Sequence, residues 1–104
     1  MSAQPLDAHE QRANLRLTLH AEGRLSEPYA GQHGIELLDI SSTGARIATY
    51  RRFHAGQTLY LTVDQLRSIK CEVRWARPGE IGVAFERPLH VAILDHLAAA
   101  HRAT

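Results

Sequence analysis

A chain of 104 residues, 44% of them apolar, is long enough for one domain with a single modest core. Its formal net charge of +1 provides no overall field that would attract long nucleic acid. The single cysteine, Cys71, excludes an intramolecular disulfide framework and agrees with a reducing compartment, so we expect a cytoplasmic protein. Because Cys71 lies in an alternating apolar run, the pattern favours a buried hydrophobic side chain over a nucleophile.

The N-terminal residues are polar and lack hydrophobic periodicity. We expect residues 1–10 to form a flexible tail and residues 11–104 to form the folded domain. No apolar run resembles a signal peptide or a membrane span, so no membrane insertion is expected.

The first two strands are separated by a stretch rich in proline and glycine. The first strand is predicted from Leu15 to Gly23, where leucines alternate with polar residues. Residues 26–34 predict a loop. The second strand, at residues 35–40, has a broken alternation that indicates either burial on both faces or a β-bulge.

A short polar stretch precedes the third strand. Residues 39–44, Asp-Ile-Ser-Ser-Thr-Gly, predict a tight hairpin turn, because Asp and Ser bond their own backbone and Gly adopts conformations that other residues avoid. The third strand is predicted at residues 45–50, with Ala45 and Ile47 inward and Arg46 outward. The turn also concentrates a carboxylate, hydroxyls and exposed backbone groups, which together could bind a ligand with a polar ring.

Three more strands and one helix are predicted after the connector at residues 51–56. Apolar residues alternate at Leu59, Leu61 and Val63, at Ile69, Cys71, Val73 and Trp75, and at Ile81, Val83 and Phe85. Trp75 continues the apolar face of the fifth strand, so we expect it to pack in the barrel and not to act as a stacking surface. Pro78-Gly79 predicts the turn of a hairpin between the fifth and sixth strands.

A C-terminal helix is expected to begin at Pro88, whose fixed φ suits the first helical turn. Its apolar line comprises Leu89, Ile93, Leu97 and Ala100, widened by Leu94. Six short strands and one amphipathic helix predict a mainly β fold: a small antiparallel barrel with the helix over one side or end. The apolar breadth of the helix leaves a face open for a homodimer.

Five polar or flexible residues could form a site for a guanine nucleotide, namely Arg12, Arg16, Asp39, Ser41 and Gly44. An arginine fork fits O6 and N7 of guanine, and a carboxylate can accept from its N1–H and N2–H. A phosphodiester favours arginines, hydroxyls and backbone N–H groups in a concave turn. The chain has no glycine-rich loop with a lysine of the kind that binds triphosphates.

The spacing of these residues resembles that of a PilZ domain. The resemblance rests on Arg12-x-x-x-Arg16, on Asp39-x-Ser41-x-x-Gly44, and on residues 81–86, which are similar to the last strand of the family. It covers nearly the whole chain, from about Gln11 to the final helix. It implies a six-stranded antiparallel β-barrel of Greek-key or split-barrel type with a C-terminal helix. It also implies a receptor for the bacterial second messenger cyclic di-GMP.

The resemblance also implies roles for the motif residues. Arg12 and Arg16 would bind phosphates and guanine edges, Asp39 and Ser41 would hold polar atoms of guanine and phosphate, and Gly44 would allow a close approach.

Two further positions bear on the ligand. Arg46 points outward two residues beyond Gly44, and we add it as a ligand contact. Gln11 precedes Arg12 where many members of the family have a further arginine. Fewer cations there would weaken the affinity or change the number of ligand molecules bound.

The predicted function is that of a ligand-binding regulatory module and not of an enzyme. No nucleophile has a base beside it, and no carboxylate pair is evident. The histidines and Cys71 lack the spacing of a metal site, so neither a metal nor a cofactor is expected besides the ligand. The arginine segment is expected to order over the bound dinucleotide and to present a surface to a separate effector protein.

Two alternatives stay open. The first is an interaction adaptor that keeps the barrel but does not bind the nucleotide. The second is a barrel that binds RNA or single-stranded DNA, which requires exposed aromatic residues along a basic groove. Because the chain has only six aromatic residues, we expect no DNA or RNA partner.

Overall fold

The computed structural model describes residues 16–102. The elements are β1 (Leu17–Glu27), β2 (Gly31–Ile40), β3 (Gly44–Ala48), β4 (Thr58–Val63), β5 (Ile69–Arg77), β6 (Glu80–Phe85) and α1 (Val91–Ala100). All neighbouring strands are antiparallel, and they close a barrel in the order β1-β2-β3-β6-β5-β4. The predicted mainly β fold, a six-stranded antiparallel barrel with a C-terminal helix, is confirmed.

The interior of the barrel is filled by alternate apolar residues of the strands. Every second residue of β4, namely Leu59, Leu61 and Val63, is buried. Each large apolar side chain that leaves water contributes roughly 1.5–3 kcal/mol. Cys71 belongs to this core, as predicted: burial raises the pKa of its thiol to about 12, and its Sγ lies 3.4 Å from the carbonyl oxygen of Leu59.

The hairpin of β1 and β2 extends through residues that were predicted to form a loop. The turn comprises only residues 28–30, so the loop expected at 26–34 is wrong. The two strands pair with each other as far as Glu27 opposite Gly31, and β1 also pairs with β4 as far as Ser26 opposite Tyr60. These ladders override the local preference of the glycines for a loop, while Pro28 stays in the turn.

One carboxylate ties the end of this hairpin to the connector between β3 and β4. Glu27 lies 2.7 Å from Nε2 of His33 and 3.3 Å from Nε of Arg51, and it accepts from Nε2 of Gln57 at 3.2 Å. The hydrogen bond with His33 lowers the pKa of Glu27 below its ordinary value of 4.5; burial acts in the opposite direction, and Arg51 and Gln57 assist the lowering.

Two β-bulges change which residues face outward. Leu38 is an extra residue of β2 opposite β3, which confirms the bulge that the broken alternation indicated. Arg74 is an extra residue of β5 opposite β6. Each bulge shifts the alternation by one residue, so Asp39 and Trp75 face outward instead of inward. The prediction that Trp75 packs inside the barrel is therefore wrong, since the residue is 40% exposed.

The helix begins three residues later than predicted. The backbone N–H of Leu89 donates to the carbonyl of Ser42 at 2.7 Å, which anchors this segment to the β2–β3 turn instead of starting a helix. His90 then caps α1, with its Nδ1 accepting from the N–H of Ala92. The buried face consists of Val91, Leu94 and Leu97.

The C-terminal end of the helix also contacts the barrel. The carbonyl of His101 accepts from the N–H of His20 at 3.1 Å, and Leu94 and Leu97 join the core. The helix therefore covers the barrel end that contains the β2–β3 turn. Ala100, predicted to lie on the apolar line, is exposed. Between residues 16 and 102, no helix is long and apolar enough to cross a lipid bilayer.

Gly44 is required by the close approach of β3 to β6. A Cβ atom at this position would overlap the carbonyl oxygen of Val83, which belongs to the backbone and cannot move away alone. We therefore expect Gly44→Ala to destabilise the fold by about 1–3 kcal/mol, as overpacked positions do. Urea unfolding measures this. Gly34→Ala is the matched control, because its Cβ would meet open space. If Gly44→Ala proved as stable as this control, the packing argument would be contradicted.

The lowered pKa of Glu27 predicts the pH dependence of stability. Because the folded state holds the ionised form more strongly than the unfolded chain does, the stabilisation is present above pH 4.5 and disappears as the pH falls through the lower folded pKa. Glu27→Gln should therefore lose less unfolding free energy than the wild type between about pH 5 and about pH 3. Urea titrations at several pH values measure the difference. Parallel pH profiles of the two proteins would argue against it.

Candidate functional site

A row of cross-strand neighbours lies on the outer face of the barrel. Asp39 on β2 is opposite Arg46 on β3, Arg46 is opposite Gly82 on β6, and Gly82 is opposite Trp75 on β5. Side chains in such positions contact one another directly. We call these four residues the outer row: a carboxylate, a guanidinium, a position without a side chain and an indole.

Two arginines from different parts of the chain neutralise Asp39. Its side chain is only 8% exposed; Oδ1 accepts from Nη1 of Arg16, and Oδ2 accepts from Nε of Arg46 at 2.8 Å. A buried carboxylate needs such partners, because its desolvation is otherwise costly. Each guanidinium carries more N–H donors than these bonds use. Asp39 therefore orients two arginine forks that have donors left for a ligand.

A second carboxylate continues this set of ion pairs. Oε1 of Glu80 accepts from Nη1 of Arg46 at 2.9 Å and from Nη2 of Arg77 at 3.0 Å. Desolvation acts to raise the pKa of Glu80, but the hydrogen bonds from Arg46 and Arg77 outweigh it and lower the pKa. The hydrogen bond to Asp39, followed by that to Glu80, raises the pKa of Arg46. Both groups are thus held in their charged forms.

The indole of Trp75 lies over the backbone of Gly82. A Cβ atom at Gly82 would overlap Nε1 of the indole, so only glycine leaves room for the ring. The guanidinium carbon of Arg77 lies 5.1 Å from the ring centroid. Reasoning from the sequence missed this exposed ring, although the glycine in the middle of β6 signals a close approach.

The four residues of the outer row line a concave surface with a volume of about 460 Å³, which we call the groove. Three arginines, Arg16, Arg46 and Arg74, line it together with the carboxylate of Asp39 and the ring of Trp75. An excess of arginines favours an anion, and the indole offers an aromatic ring to stack on. The groove therefore suits a ligand that combines negative charge with a planar ring.

A larger concavity of about 1310 Å³ lies elsewhere on the barrel. It contains three carboxylates, Glu22, Glu36 and Asp64, and a single arginine, Arg24, together with His20 and His101. This charge is unfavourable for an anionic ligand. We therefore take the smaller groove as the candidate site.

The structure brings most of the predicted site residues to the groove. Arg16, Asp39, Gly44 and Arg46 all line it, whereas Ser41 does not. Arg12 lies outside the described residues.

Ser41 and Gly44 have roles in the turn itself. The N–H of Ser41 donates to the carbonyl of Gly44 at 2.8 Å, and Oγ of Ser41 accepts from the N–H of Thr43 at 3.3 Å. Ser41 is buried. The motif therefore shapes the turn at Ser41 and Gly44, while Asp39 faces the groove.

Comparison with known proteins identifies the family of the chain. The family model for the PilZ domain matches residues 9–100, which include both arginines of the first motif and the whole of the second. The chain belongs to the PilZ domain family. PilZ domains form a family of regulatory receptors for cyclic di-GMP and are not enzymes. A sequence search of curated proteins found no match.

The groove of this PilZ domain contains no residues arranged for metal binding. Within the part of the chain that the structure describes, no three His, Cys, Asp or Glu side chains are grouped so that they could hold an ion. The chemistry of the groove is that of arginines, one carboxylate and one aromatic ring.

Gly82→Ala tests the position of the indole. The added Cβ would overlap the ring, and we expect the side chain of Trp75 to move away into solvent with a small cost in stability, because a side chain can move where a backbone cannot. Trp75 is the sole tryptophan, so a red shift of its fluorescence and stronger acrylamide quenching report this movement. Gly34→Ala is again the control. Unchanged fluorescence in folded Gly82→Ala would show that the ring does not lie over Gly82.

Proposed function

We propose that this PilZ domain is a receptor for cyclic di-GMP and that it binds the dinucleotide in the groove. The observation that carries the proposal is the joint placement of Arg16 and Arg46 on Asp39, beside the exposed indole of Trp75. Cation forks next to an aromatic ring match the two parts of the ligand, its phosphates and its bases.

The chemistry of cyclic di-GMP explains how the groove would bind it. Each phosphodiester is an anion that an arginine fork binds with two parallel hydrogen bonds. The O6 and N7 atoms of guanine offer the same fork a pair of acceptors. A base stacked on an aromatic ring adds roughly 1–3 kcal/mol. A base would stack on the exposed part of Trp75 or displace Arg77 from the ring.

We assign Asp39 an indirect role in binding. Its two oxygens already accept from Arg16 and Arg46, and its side chain is largely covered by them. The carboxylate therefore contributes by orienting both guanidinium groups toward the ligand. A direct pair with N1–H and N2–H of guanine would require one arginine to leave.

The segment that carries Arg12 joins the site through Arg16. Four residues of extended chain span at most about 14 Å, so the covalent chain keeps Arg12 within that distance of Arg16. We propose that this segment closes over the bound dinucleotide and that the new surface is recognised by a separate effector protein.

One observation favours the alternative of an adaptor that does not bind the nucleotide. Arg16 and Arg46 are already paired with Asp39, and Arg46 is also paired with Glu80. Carboxylates of the chain itself thus partly neutralise Arg16 and Arg46, and binding must compete with or add to these ion pairs.

Calorimetric titration with cyclic di-GMP tests the receptor proposal. We expect the wild type to bind with micromolar or better affinity, about −8 kcal/mol or more favourable. Arg16→Ala should weaken binding by at least about tenfold, because a hydrogen bond to a charged group contributes roughly 1.5–3 kcal/mol. The control variant is Arg52→Ala, an exposed arginine outside the groove, which should bind as the wild type does.

A second ligand tests base recognition. Cyclic di-AMP has the same phosphates, but it presents an N6 donor where guanine presents the O6 acceptor. We expect it to bind more weakly than cyclic di-GMP. Absence of cyclic di-GMP binding by the folded wild type would contradict the receptor proposal and favour the adaptor.

A further inference from the structure

Glu80 lies beside the groove without lining it. It is the first residue of β6, its register partners are Arg77 on β5 and Ala48 on β3, and its side chain is 17% exposed. A single oxygen, Oε1, accepts from two arginines, Arg46 at 2.9 Å and Arg77 at 3.0 Å.

The two arginines that Glu80 holds belong to different parts of the site. Arg46 is bound on its other side to Asp39 and presents its guanidinium to the groove. Arg77 lies over the ring of Trp75. One carboxylate therefore fixes both the guanidinium of Arg46 within the outer row and the arginine that covers Trp75 at the end of that row.

A role in stabilising the hairpin alone does not account for both contacts. The pair of Arg77 with Glu80 closes the β5–β6 hairpin and is exposed on the arginine side, so it contributes little to stability. The pair with Arg46 reaches a third strand and a half-buried guanidinium that already has Asp39 as a partner. The second contact restricts the plane of the Arg46 fork, and a bidentate ligand requires that plane to be fixed.

We propose that Glu80 is a positioning residue of the groove, which fixes the guanidinium groups of Arg46 and Arg77 before a ligand arrives. Its effect on nucleotide affinity rests on the proposed function. Its effect on Trp75 does not, because the contact of Arg77 with the ring involves only residues of this chain.

The variant Glu80→Gln tests this role, since it keeps the size of the side chain and removes its charge. The control is Glu86→Gln, which loses only a 3.7 Å pair with Lys70 outside the groove. In the free protein, we expect acrylamide to quench Trp75 more strongly in Glu80→Gln than in the control, because Arg77 is released from its anchor. A stabilising role alone would change the melting temperature but not the quenching of the folded protein.

Calorimetry on the same variants measures the effect on the ligand. We expect cyclic di-GMP to bind about tenfold more weakly to Glu80→Gln, a loss comparable to that seen when residues that orient metal ligands are removed. The control should bind as the wild type does. The wild type does not bind cyclic di-GMP if the proposed function is wrong. Stronger quenching of Trp75 in Glu80→Gln than in the control would still support the positioning role in that case.

Equal quenching of Trp75 in wild type, Glu80→Gln and Glu86→Gln would overturn the proposal. If Glu80→Gln is too unstable to measure, Arg77→Met replaces it, because Arg77 is exposed and its loss removes the side chain that links Glu80 to the ring. Quenching in Arg77→Met that equals the wild type would overturn the proposal in the same way.

Discussion

The ion pairs of Asp39 are the interaction on which the groove depends. This carboxylate is nearly buried, so it is stable only while Arg16 and Arg46 neutralise it. Arg16 lies directly before β1, Asp39 and Arg46 belong to β2 and β3, and Glu80 extends the set to β5 and β6. The polar surface thus connects four strands and the residue that precedes β1. Removing one member would leave an unbalanced charge on its neighbours, so we expect substitutions in this set not to be additive.

Two β-bulges allow one barrel to provide both a core and a site. Strict alternation would place Asp39 and Trp75 inside, where a carboxylate is costly and an indole would compete with the core leucines for space. The extra residues at Leu38 and Arg74 shift both strands by one position, and the two side chains then lie on the same outer row. Gly82 completes the row, because its missing side chain leaves the space that the indole occupies.

The barrel and half of its site could be predicted from the sequence, because both depend on local patterns. The strands follow from the alternation of apolar residues, Arg16, Asp39 and Gly44 from the spacing of the motifs, and Arg46 from its outward position on the third strand. The long hairpin could not be predicted, since its glycines favour a loop locally and become strand only through pairing of β1 with β2 and of Ser26 with β4. Trp75 was placed inside because a bulge caused by Arg74 leaves no signal in the alternation. Glu80 belongs to no motif, and only the fold brings it to Arg46.

The central claim is that cyclic di-GMP binds on the outer row, and NMR of the ¹⁵N-labelled protein tests it most directly. During titration with the dinucleotide, we expect the largest shifts at the amides of Arg46 and Gly82 and at the indole N–H of Trp75. Shifts that cluster instead around Gly34 and Tyr50, in the larger concavity, would contradict it, as would a spectrum that the ligand leaves unchanged.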